Sequence, residues 1–553
     1  MFGGLGIFVV MRKNYAFFVI AFLAVLNLFV MHYYLLLNDY IEWIDRFSAY
    51  IYNTLGAAFD VCFLFVILYL ILKKNQNAAI ICCFAITLLW SFVNVLYARF
   101  FHHYISLTVF SQAGNLASPL LLNSAIKELK WEDLYFLIAP LACFVASKRF
   151  VRVSRPLVIP IAILLLASAV DAFCRATNRI NLGHYNITPN TPIFLRGTIR
   201  SLAFEISREM ENVQELSAVQ KTEIENELTT SKKSLARHRH TKPKNIIFIL
   251  VESYMSVVSD MKQGGREVTP FLNSLKLDTT VYYNGHMHEN VTIGESSDGQ
   301  FVYMTGLLPL RAHLTVSKAH NKTLPGMPKQ LDKESRMIIP TNTTIWNQEQ
   351  MTKQYGFDYL YSCVDCPMEH GAILNDEQVF KLAIQEDAKS SQPFLSIILT
   401  MSMHHPYTEQ IDPTFPVSDK GIPADFACYL NACHYTDRQI WLYFEHLKRT
   451  GLYDNSLIVI AADHPVHSSD FGGVSKDIPL YIVNLPPEIK RTMWTGECNQ
   501  LDVYTTLLDL LGIETDWYGL GQSLLSPNYQ STIDPKKWDV SEWIIRGDYF
   551  SNR

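Results

Sequence analysis

The chain has 553 residues, enough for several domains, and a formal net charge of −5 at pH 7. This near balance of charges provides no general basic face and argues against a nucleic-acid-binding protein. Hydrophobic residues make up 49% of the chain, but they are concentrated in its first third. The composition therefore predicts a membrane region followed by a soluble globular part.

Five apolar segments of the first third are predicted to span the membrane, because a spanning helix needs roughly 20 apolar residues. They are Tyr15–Leu37, Tyr50–Leu72, Ala78–Phe100, Leu134–Ala146 and Pro156–Phe173. The fourth segment is short, and a buried or re-entrant helix is the alternative there. No small-residue cleavage site follows the first segment, so we interpret it as an anchor rather than a removed signal peptide.

Basic residues in the loops orient these spans by the positive-inside rule. Arg12 and Lys13 precede the first span. Lys73 and Lys74 separate the second span from the third, and four basic residues lie between the fourth and the fifth. The N-terminus is then cytosolic, and everything after the fifth span is extracytoplasmic.

The pattern divides the chain into four predicted parts: a transmembrane domain (1–175), a polar helical linker or stalk (176–243), an α/β domain (244–530) and a tail packed on that domain (531–553). Within the linker, Ser207–Leu235 contains neither Gly nor Pro. This stretch predicts one helix, either a stalk or an arm lying against the globule.

Five cysteines lie outside the membrane region: Cys363, Cys366, Cys428, Cys433 and Cys498. The C-x-x-C formed by the first two is a pattern found in zinc and redox sites, but the chain has no second C-x-x-C. In an oxidising compartment we expect local disulfides, with one of the five thiols left over.

Apolar runs alternate with helical stretches from Lys244 onward and predict a mainly parallel central sheet. The predicted strands are Ile246–Val251, Phe394–Thr400, Ser456–Ala461 and Leu480–Val483, and the predicted helices include Tyr429–Leu447 and Asp502–Leu511. Ligands of open α/β sheets gather at the carboxyl ends of the strands. Candidate functional residues are therefore sought there.

Polar residues follow three of these strands. Glu252 follows the first, His404 the second, and the adjacent Asp463 and His464 the third. Ser296 lies in a Gly-bounded loop that suits a nucleophile. Mixed oxygen and nitrogen donors suit Mn²⁺ or Zn²⁺ better than Ca²⁺. A cation beside a hydroxyl lowers its pKa for attack on a phosphodiester.

A further group, His286, His288 and Glu289, resembles a metal cluster on a strand-like run. We interpret them as surface or pocket-rim residues.

The order of the motifs resembles the lipoteichoic acid synthase family, within the alkaline phosphatase/sulfatase superfamily. The motifs are strand-Glu252, Gly294-Glu-Ser-Ser-Asp, Trp346-Asn347, Ser402-Met-His-His-Pro, Tyr429–Asp437 and Asp463-His464. The five apolar segments ahead of an outer domain are similar as well. The resemblance therefore covers almost the whole chain.

The resemblance implies a multi-pass enzyme of the bacterial inner (cytoplasmic) membrane, with a sulfatase-like catalytic domain on the extracytoplasmic, periplasmic side. It implies one divalent cation, manganese first and zinc or magnesium as alternatives, held by Glu252, Ser296, Asp463 and His464. Ser296 matches the nucleophile position, and Ser297 is the alternative.

The substrate residues follow from the same resemblance. Trp346 and His404 match substrate-contacting positions, and we expect Asn347 and Gln348 to contribute beside them. The implied reaction transfers phosphoglycerol from a membrane phospholipid to a glycan, polymer or lipid acceptor, through a covalent phospho-Ser intermediate.

Three departures from the family pattern bear on the donor. Ser296 stands where threonine is common, and Glu295 stands where a basic residue is common. Ile339 and Gln348 stand where phosphoglycerol-transferring members have His and Arg. A carboxylate beside the nucleophile favours a donor with an ammonium group, so phosphoethanolamine transfer is the alternative.

Three further functions are alternatives. A sulfatase would need Cys or Ser within C/S-x-P-x-R, and neither Ser296 nor Ser297 has the Pro and Arg. A phosphodiesterase-like hydrolase remains closer in chemistry. An inactive scaffold would be expected to have lost metal ligands, yet all four matched positions are retained.

Overall fold

The computed structural model describes residues 15–38, 46–101, 104–105, 129–148, 153–176, 197–210, 215–236, 245–311, 313–362, 375–390, 393–405, 407, 409–417, 421–466 and 474–552. The chain divides into two compact units, Met1–Asn212 and Val213–Arg553. The Cys363–Cys366 motif and His467 lie outside the described residues.

Helices make up the described part of the first unit: α1 Tyr15–Asn38, α2 Arg46–Ile71, α3 Gln76–Phe101, α4 Leu134–Ser147, α5 Val158–Ala176 and α6 Thr198–Met210. Helices α1 to α5 lie on the five predicted spans. Among the described residues, Tyr50–Ile71 and Gln76–Arg99 are long and apolar enough to cross a membrane, and Ala16–Met31 and Val158–Phe173 are shorter apolar helices. Five crossings stay a prediction.

Two buried acids of the first unit are hydrogen-bonded. The Arg99 guanidinium donates two hydrogen bonds, of 2.7 and 2.8 Å, to the buried Asp133 carboxylate. Asp60 in α2 accepts hydrogen bonds from the backbone N–H groups of Thr198 and Ile199, which begin α6. Buried charges are tolerated when they are paired or hydrogen-bonded in this way.

The second unit is built on an eight-stranded sheet. Its strands are β1 Asn245–Val251, β4 Tyr282–His288, β5 Glu334–Ile338, β6 Tyr359–Tyr361, β7 Phe394–Leu399, β8 Ser456–Ala462, β9 Ile478–Val483 and β10 Cys498–Asn499. A separate hairpin pairs β2 Lys262–Gln263 with β3 Arg266–Glu267. The spatial order is β10-β4-β9-β8-β1-β7-β5-β6.

Helices connect and cover the sheet: α7 Ala218–Lys233, α8 Pro270–Leu277, α9 Ser296–Thr305, α10 Thr315–Ala319, α11 Met327–Gln330, α12 Gln348–Tyr355, α13 Asp376–Lys389, α14 Ala424–Arg449, α15 Pro487–Lys490, α16 Asp502–Leu510 and α17 Lys536–Arg546.

The sheet is mainly parallel, as predicted. Strands β8, β1, β7, β5 and β6 run parallel, and β9 is antiparallel to both of its neighbours. Every residue of β1, β8 and β9 is buried, which explains why these strands read as continuous apolar runs without alternation. The four predicted strands are present, each within two residues of its expected bounds.

The predicted helix over Ser207–Leu235 is wrong as a single element. α6 ends at Met210, and a new helix, α7, begins after Ser217, whose hydroxyl accepts a hydrogen bond from the backbone N–H of Gln220 (3.2 Å). The Gln220 side chain accepts from the Ser217 backbone N–H in return, forming a capping box that starts a helix without Gly or Pro. In the second unit, α7 buries Ile224 in the core.

The prediction of a local disulfide is wrong for the pair in α14, because Cys428 and Cys433 are free thiols, as is Cys498. Cys433 follows Cys428 by five positions in the helix. This spacing separates the two residues by about 7.5 Å along the axis and turns their side chains to different faces. A disulfide requires Cα atoms about 4.4–6.8 Å apart. Cys433 is buried in the core instead.

The last helix packs on the second unit. Val540, Ile544 and Ile545 of α17 are buried in its core, and the Ser541 hydroxyl donates to the backbone carbonyl of Leu308 (2.6 Å).

Candidate active site

Neighbouring strands deliver Glu252 and Asp463. β1 and β8 run parallel with Val251 opposite Ala462, so the residues that follow them leave the sheet side by side. Both carboxylates are almost fully buried, with exposures of 4% and 3%. The two acids that the sequence predicts as ligands therefore lie together at the carboxyl edge of the sheet.

Ser253 holds these two acids in place. Its backbone N–H donates to Asp463 Oδ1 (2.9 Å), and its hydroxyl donates to Glu252 Oε1 (2.7 Å). The residue has a φ of 50°, a conformation that costs on the order of 1–3 kcal/mol and persists where neighbours impose it. One such neighbour is Tyr429, whose hydroxyl donates to the Ser253 carbonyl (2.8 Å).

Ser296 is the first residue of α9 and follows a strained turn, since Glu295 has a φ of 49°. A glycine in the first turn brings this helix against β8. A Cβ added at Gly299 would lie 2.4 Å from the backbone oxygen of Asp463. The absence of a side chain at this position therefore allows the start of α9 to approach the two acids.

The Ser296 hydroxyl lies at the centre of the group. Its Oγ is 3.2 Å from Glu252 Oε2 and 3.0 Å from His464 Nε2. Glu252, Asp463 and His464 each offer a donor atom, and these atoms all lie within 4.8 Å of one another. The structure thus brings together the four residues predicted to share one cation.

His464 is oriented by its own loop. Its Nδ1 lies 2.8 Å from the carbonyl oxygen of Pro465, so in the neutral ring the Nδ1 proton is donated to that carbonyl. The Nε2 lone pair then faces Ser296. A histidine that ligates a metal through one nitrogen usually donates its other N–H to such an oxygen.

The electrostatic environment of this group favours positive charge. Burial, together with the neighbouring Glu252 carboxylate, raises the pKa of Asp463 to about 7. Burial lowers the pKa of the His464 imidazole, but nearby carboxylates, led by Asp463, outweigh it and raise the pKa to about 10. Without a cation the site therefore retains protons. A divalent cation would replace them, as expected where metal binding releases protons.

These residues fit a divalent cation. Glu252, Asp463, His464 and Ser296 would supply oxygen and nitrogen donors from buried or half-buried positions. Such mixed donors suit Mn²⁺ or Zn²⁺.

His404 follows β7, which pairs with β1 on the side opposite β8, so it belongs to the same carboxyl edge of the sheet as Glu252 and Asp463. Its Nδ1 is 2.6 Å from the carbonyl oxygen of His405. Burial lowers the pKa of His404 to about 4, and the positive charge of His464 lowers it as well. The ring is therefore neutral at physiological pH, with Nδ1–H donated and Nε2 as a proton acceptor.

The segment Trp346–Gln348 leads into α12. Trp346 and Asn347 both have positive φ values and are half-buried, and Asn347 Nδ2 donates to the Val316 carbonyl (3.3 Å). The amide of Gln348 exchanges two hydrogen bonds with that of Gln300, of 2.7 and 3.1 Å, inside the core. Gln348 is thus buried and paired with Gln300, and the role of the segment in substrate binding stays a prediction.

Two carboxylates lie close to the ligands without belonging to them. The charge of Glu295 acts on His464, and the charges of His464 and Asp463 act on Glu289. Burial raises the pKa of Glu289 to about 7, and its Oε2 has no hydrogen-bond partner among the described residues. Sequence reasoning placed Glu289 at the surface or pocket rim and missed this proximity.

Residues on both sides of Ser296 hold its loop in place. Asp298 Oδ2 accepts hydrogen bonds from the Thr292 hydroxyl (2.7 Å) and the Gly294 N–H (2.9 Å), which ties the loop to α9. The Ser297 hydroxyl donates to the Gly294 carbonyl (2.7 Å) and is buried. Ser297 thus shapes the loop, while Ser296 faces the candidate ligands.

Residues 244–513 match the sequence model of the sulfatase family. This part of the chain is a sulfatase-family domain. Its mixed, mainly parallel sheet is that of an alkaline phosphatase/sulfatase-type domain.

Similarity to curated proteins extends into the first unit. The chain is 26% identical over 527 residues to lipoteichoic acid synthase 2 of Bacillus subtilis, covering 87% of this chain and 80% of that protein. It is 27% identical over 495 residues to lipoteichoic acid synthase of Staphylococcus saprophyticus, covering 81% and 75%.

A solved structure shares the fold over nearly the full length. The integral membrane protein lipooligosaccharide phosphoethanolamine transferase A from Neisseria meningitidis superposes with a TM-score of 0.52 at 13% identity, covering 92% of this chain and 97% of that one.

Proposed function

We propose that this protein transfers a phospho-headgroup, phosphoglycerol in the first instance, from a membrane phospholipid to an extracytoplasmic acceptor through a phospho-Ser296 intermediate. One observation carries the proposal. The Ser296 hydroxyl lies within hydrogen-bond distance of Glu252 and His464, two members of the three-residue donor cluster. The relatives named above as lipoteichoic acid synthases support a transferase over other members of the superfamily.

The first half-reaction forms the Ser296 Oγ–P bond and breaks the bond between phosphorus and the lipid oxygen. Diacylglycerol leaves with a proton. When bound, a divalent cation, manganese first and zinc or magnesium as alternatives, supplies positive charge that favours the deprotonated hydroxyl and offsets the phosphate charge. Ser296 also lies at the N-terminus of α9, where the helix dipole favours an anionic group.

In the second half-reaction an acceptor hydroxyl attacks phosphorus, the Ser296 O–P bond breaks, and Ser296 regains a proton. The acceptor is a glycan, a polymer or a lipid. His404 is suited to take the proton of the incoming hydroxyl, because its Nε2 is an acceptor in the neutral tautomer. This assigns His404 to the proton-accepting step rather than to protonation of the leaving lipid.

Phosphoethanolamine transfer is the second candidate. It is favoured by the two carboxylates outside the ligand set, Glu295 and Glu289, since anionic groups beside the nucleophile suit a headgroup that carries an ammonium. The buried Gln348–Gln300 pair also leaves no cationic residue at the position where phosphoglycerol-transferring relatives have an arginine. Glu295→Lys should then shift preference toward phosphatidylglycerol, while unchanged preference would remove this candidate.

Intact-mass analysis tests the reaction and the donor together. Full-length protein in phosphatidylglycerol or phosphatidylethanolamine nanodiscs is incubated without acceptor, and the adduct is mapped. A phosphoglycerol or phosphoethanolamine mass on Ser296 is the expected result. Ser296→Ala should lose it, and the matched variant Ser297→Ala should keep it. Headgroup release with no adduct in either lipid would point to a hydrolase, and no turnover at all to an inactive scaffold.

The membrane context is part of the proposal. A lipid donor requires a catalytic unit beside the bilayer, and the apolar helices of the first unit provide the anchor. By the loop charges, the sulfatase-family domain lies on the extracytoplasmic side of the bacterial cytoplasmic membrane.

A further inference from the structure

We propose that His286, His288 and Asp477 bind a second divalent transition-metal ion, Zn²⁺ being the best match, on the outer face of the sheet. This site is separate from the candidate active site and does not depend on the proposed transferase activity. His286 and His288 lie in β4, Asp477 directly precedes β9, and Glu497 directly precedes β10.

The strand register places the group. Met287 in β4 lies opposite Ile478 in β9 and Cys498 in β10, and all three side chains are fully buried. His286 and His288 flank Met287 in β4 and point away from it, because side chains alternate between the two faces of a sheet. Asp477 directly precedes Ile478 and Glu497 directly precedes Cys498, so the register brings both acids beside the two histidines.

A bulge re-aims the end of β4. The pairing of β4 with β9 shifts register between Asn284 and Met287, and bulges commonly redirect side chains in this way. His286 and His288 both project outward beyond it, with side chains that are 64% and 47% exposed. The His-x-His spacing thus places two imidazoles on one face.

Both imidazoles converge on one carboxylate. His288 Nδ1 lies 3.3 Å from Asp477 Oδ1, and His286 Nδ1 lies 3.8 Å from Asp477 Oδ2. Donor atoms around a tetrahedral ion with bonds of about 2.0–2.1 Å are separated by about 3.4 Å. The separations from Asp477 therefore approach those of a ligand set before any ion binds.

The cluster is more open than the active-site group, which alone among the described residues has three such donors all within 4.8 Å of one another. Binding an ion here involves rotation of the His286 and His288 side chains toward a common point with Asp477. Both rings are exposed, so such a rotation meets little packing resistance.

Glu497 completes the arrangement. Its Oε2 lies 3.9 Å from His288 Nε2, the nitrogen that faces away from Asp477. Metal-bound histidines usually donate their second N–H to a carboxylate, which fixes the ring and strengthens the ligand. A pair of ordinary surface ion pairs would also place histidine beside acids, but it would not hold a metal after desalting.

Counting bound metal separates these two explanations. Full-length protein in detergent is stripped with a chelator, equilibrated with Zn²⁺, desalted and analysed for metal per chain. The double variant His286→Ala/His288→Ala should hold one ion fewer than the wild type. The matched variant His446→Ala, a histidine whose ring contacts Arg449, should hold the wild-type number.

A second variant distinguishes loss of a metal ligand from misfolding. Asp477→Asn keeps the shape of the side chain and should also lose one ion, while its thermal melting without Zn²⁺ stays at the wild-type temperature. Equal metal content in wild type, double variant and Asp477→Asn would overturn the proposal and leave ordinary surface ion pairs.

Discussion

Ser253 shows how much of the candidate centre depends on a residue that binds neither the cation nor the substrate. It donates from its backbone to Asp463 and from its side chain to Glu252, in a conformation with positive φ. Residues in sparsely populated backbone regions cluster at functional sites, where the surrounding structure imposes them. Ser253 is therefore a positioning residue for the two acids.

Ser253→Ala should weaken cation binding. The substitution removes the hydroxyl that orients Glu252 but keeps the backbone hydrogen bond to Asp463. Loss of such a supporting contact typically lowers metal affinity by about 10–100-fold. Titration of metal-free protein with Mn²⁺ measures it. Ser256→Ala is the control, because the Ser256 hydroxyl has no partner among the described residues. Equal affinities would show that Glu252 orients itself.

His404 gives a prediction about pH. Burial lowers its pKa to about 4, so the ring stays in its neutral, proton-accepting form at all higher pH values. His404→Gln should therefore reduce the transfer rate by about 10²–10⁴-fold, uniformly from roughly pH 5 to 8, without moving the acid limb of the profile. An acid limb near the ordinary histidine pKa that vanishes in the variant would contradict this assignment.

At the scale of elements, the centre depends on two strands ending together and one helix starting against them. β1 and β8 are in register to their last residues, which makes the positions of Glu252 and Asp463 a consequence of the sheet. α9 reaches them only because its first turn carries Gly299. Helix and sheet thus meet with backbone against backbone.

Gly299→Ala should disrupt this contact. The added methyl group would lie 2.4 Å from the Asp463 carbonyl oxygen, so α9 must shift, at a cost of about 1–3 kcal/mol or more. We expect a lower melting temperature and a large loss of transfer activity, since Ser296 moves with the helix. Gly265→Ala is the comparison for activity only: no atom lies within 4 Å of a Cβ there, although its φ of 77° makes alanine strain the local backbone. Full activity in Gly299→Ala would exclude the close approach as a requirement.

In the second unit, the helices near its beginning and its end contribute to one hydrophobic core. Ile224 of α7 and Ile545 of α17 belong to the same buried cluster as the central strands. Glu223 and Lys536 also form an ion pair between these helices. The sulfatase-family match ends at residue 513, so the core extends beyond the family segment on both sides.

Ile545→Ala tests the contribution of the last helix. Ile545 is 1% exposed, and removing a buried isoleucine side chain costs about 2–5 kcal/mol through lost burial and a residual cavity. Thermal melting of the full-length protein should show a clear decrease. Leu277→Ala is the matched control, because Leu277 is 86% exposed and should melt like the wild type. Similar melting of both variants would mean that α17 does not stabilise the unit.

The sequence by itself determined the order and type of the main elements. Continuous apolar runs identify strands buried on both faces, and long apolar segments identify the helices of the first unit, because burial and local period are written in neighbouring residues. The acids that follow β1 and β8 were predictable for the same reason, since parallel strands end at a common edge.

Only the tertiary structure decided which way individual polar side chains turn. Gln348 pairs with Gln300 in the core. Glu289 lies near His464, whereas its neighbours His286 and His288 face Asp477. The sequence pattern also did not predict the break between helices α6 and α7 before Ser217. Each of these depends on partners distant in the chain or on a single capping contact, and short-range patterns contain no information about such partners.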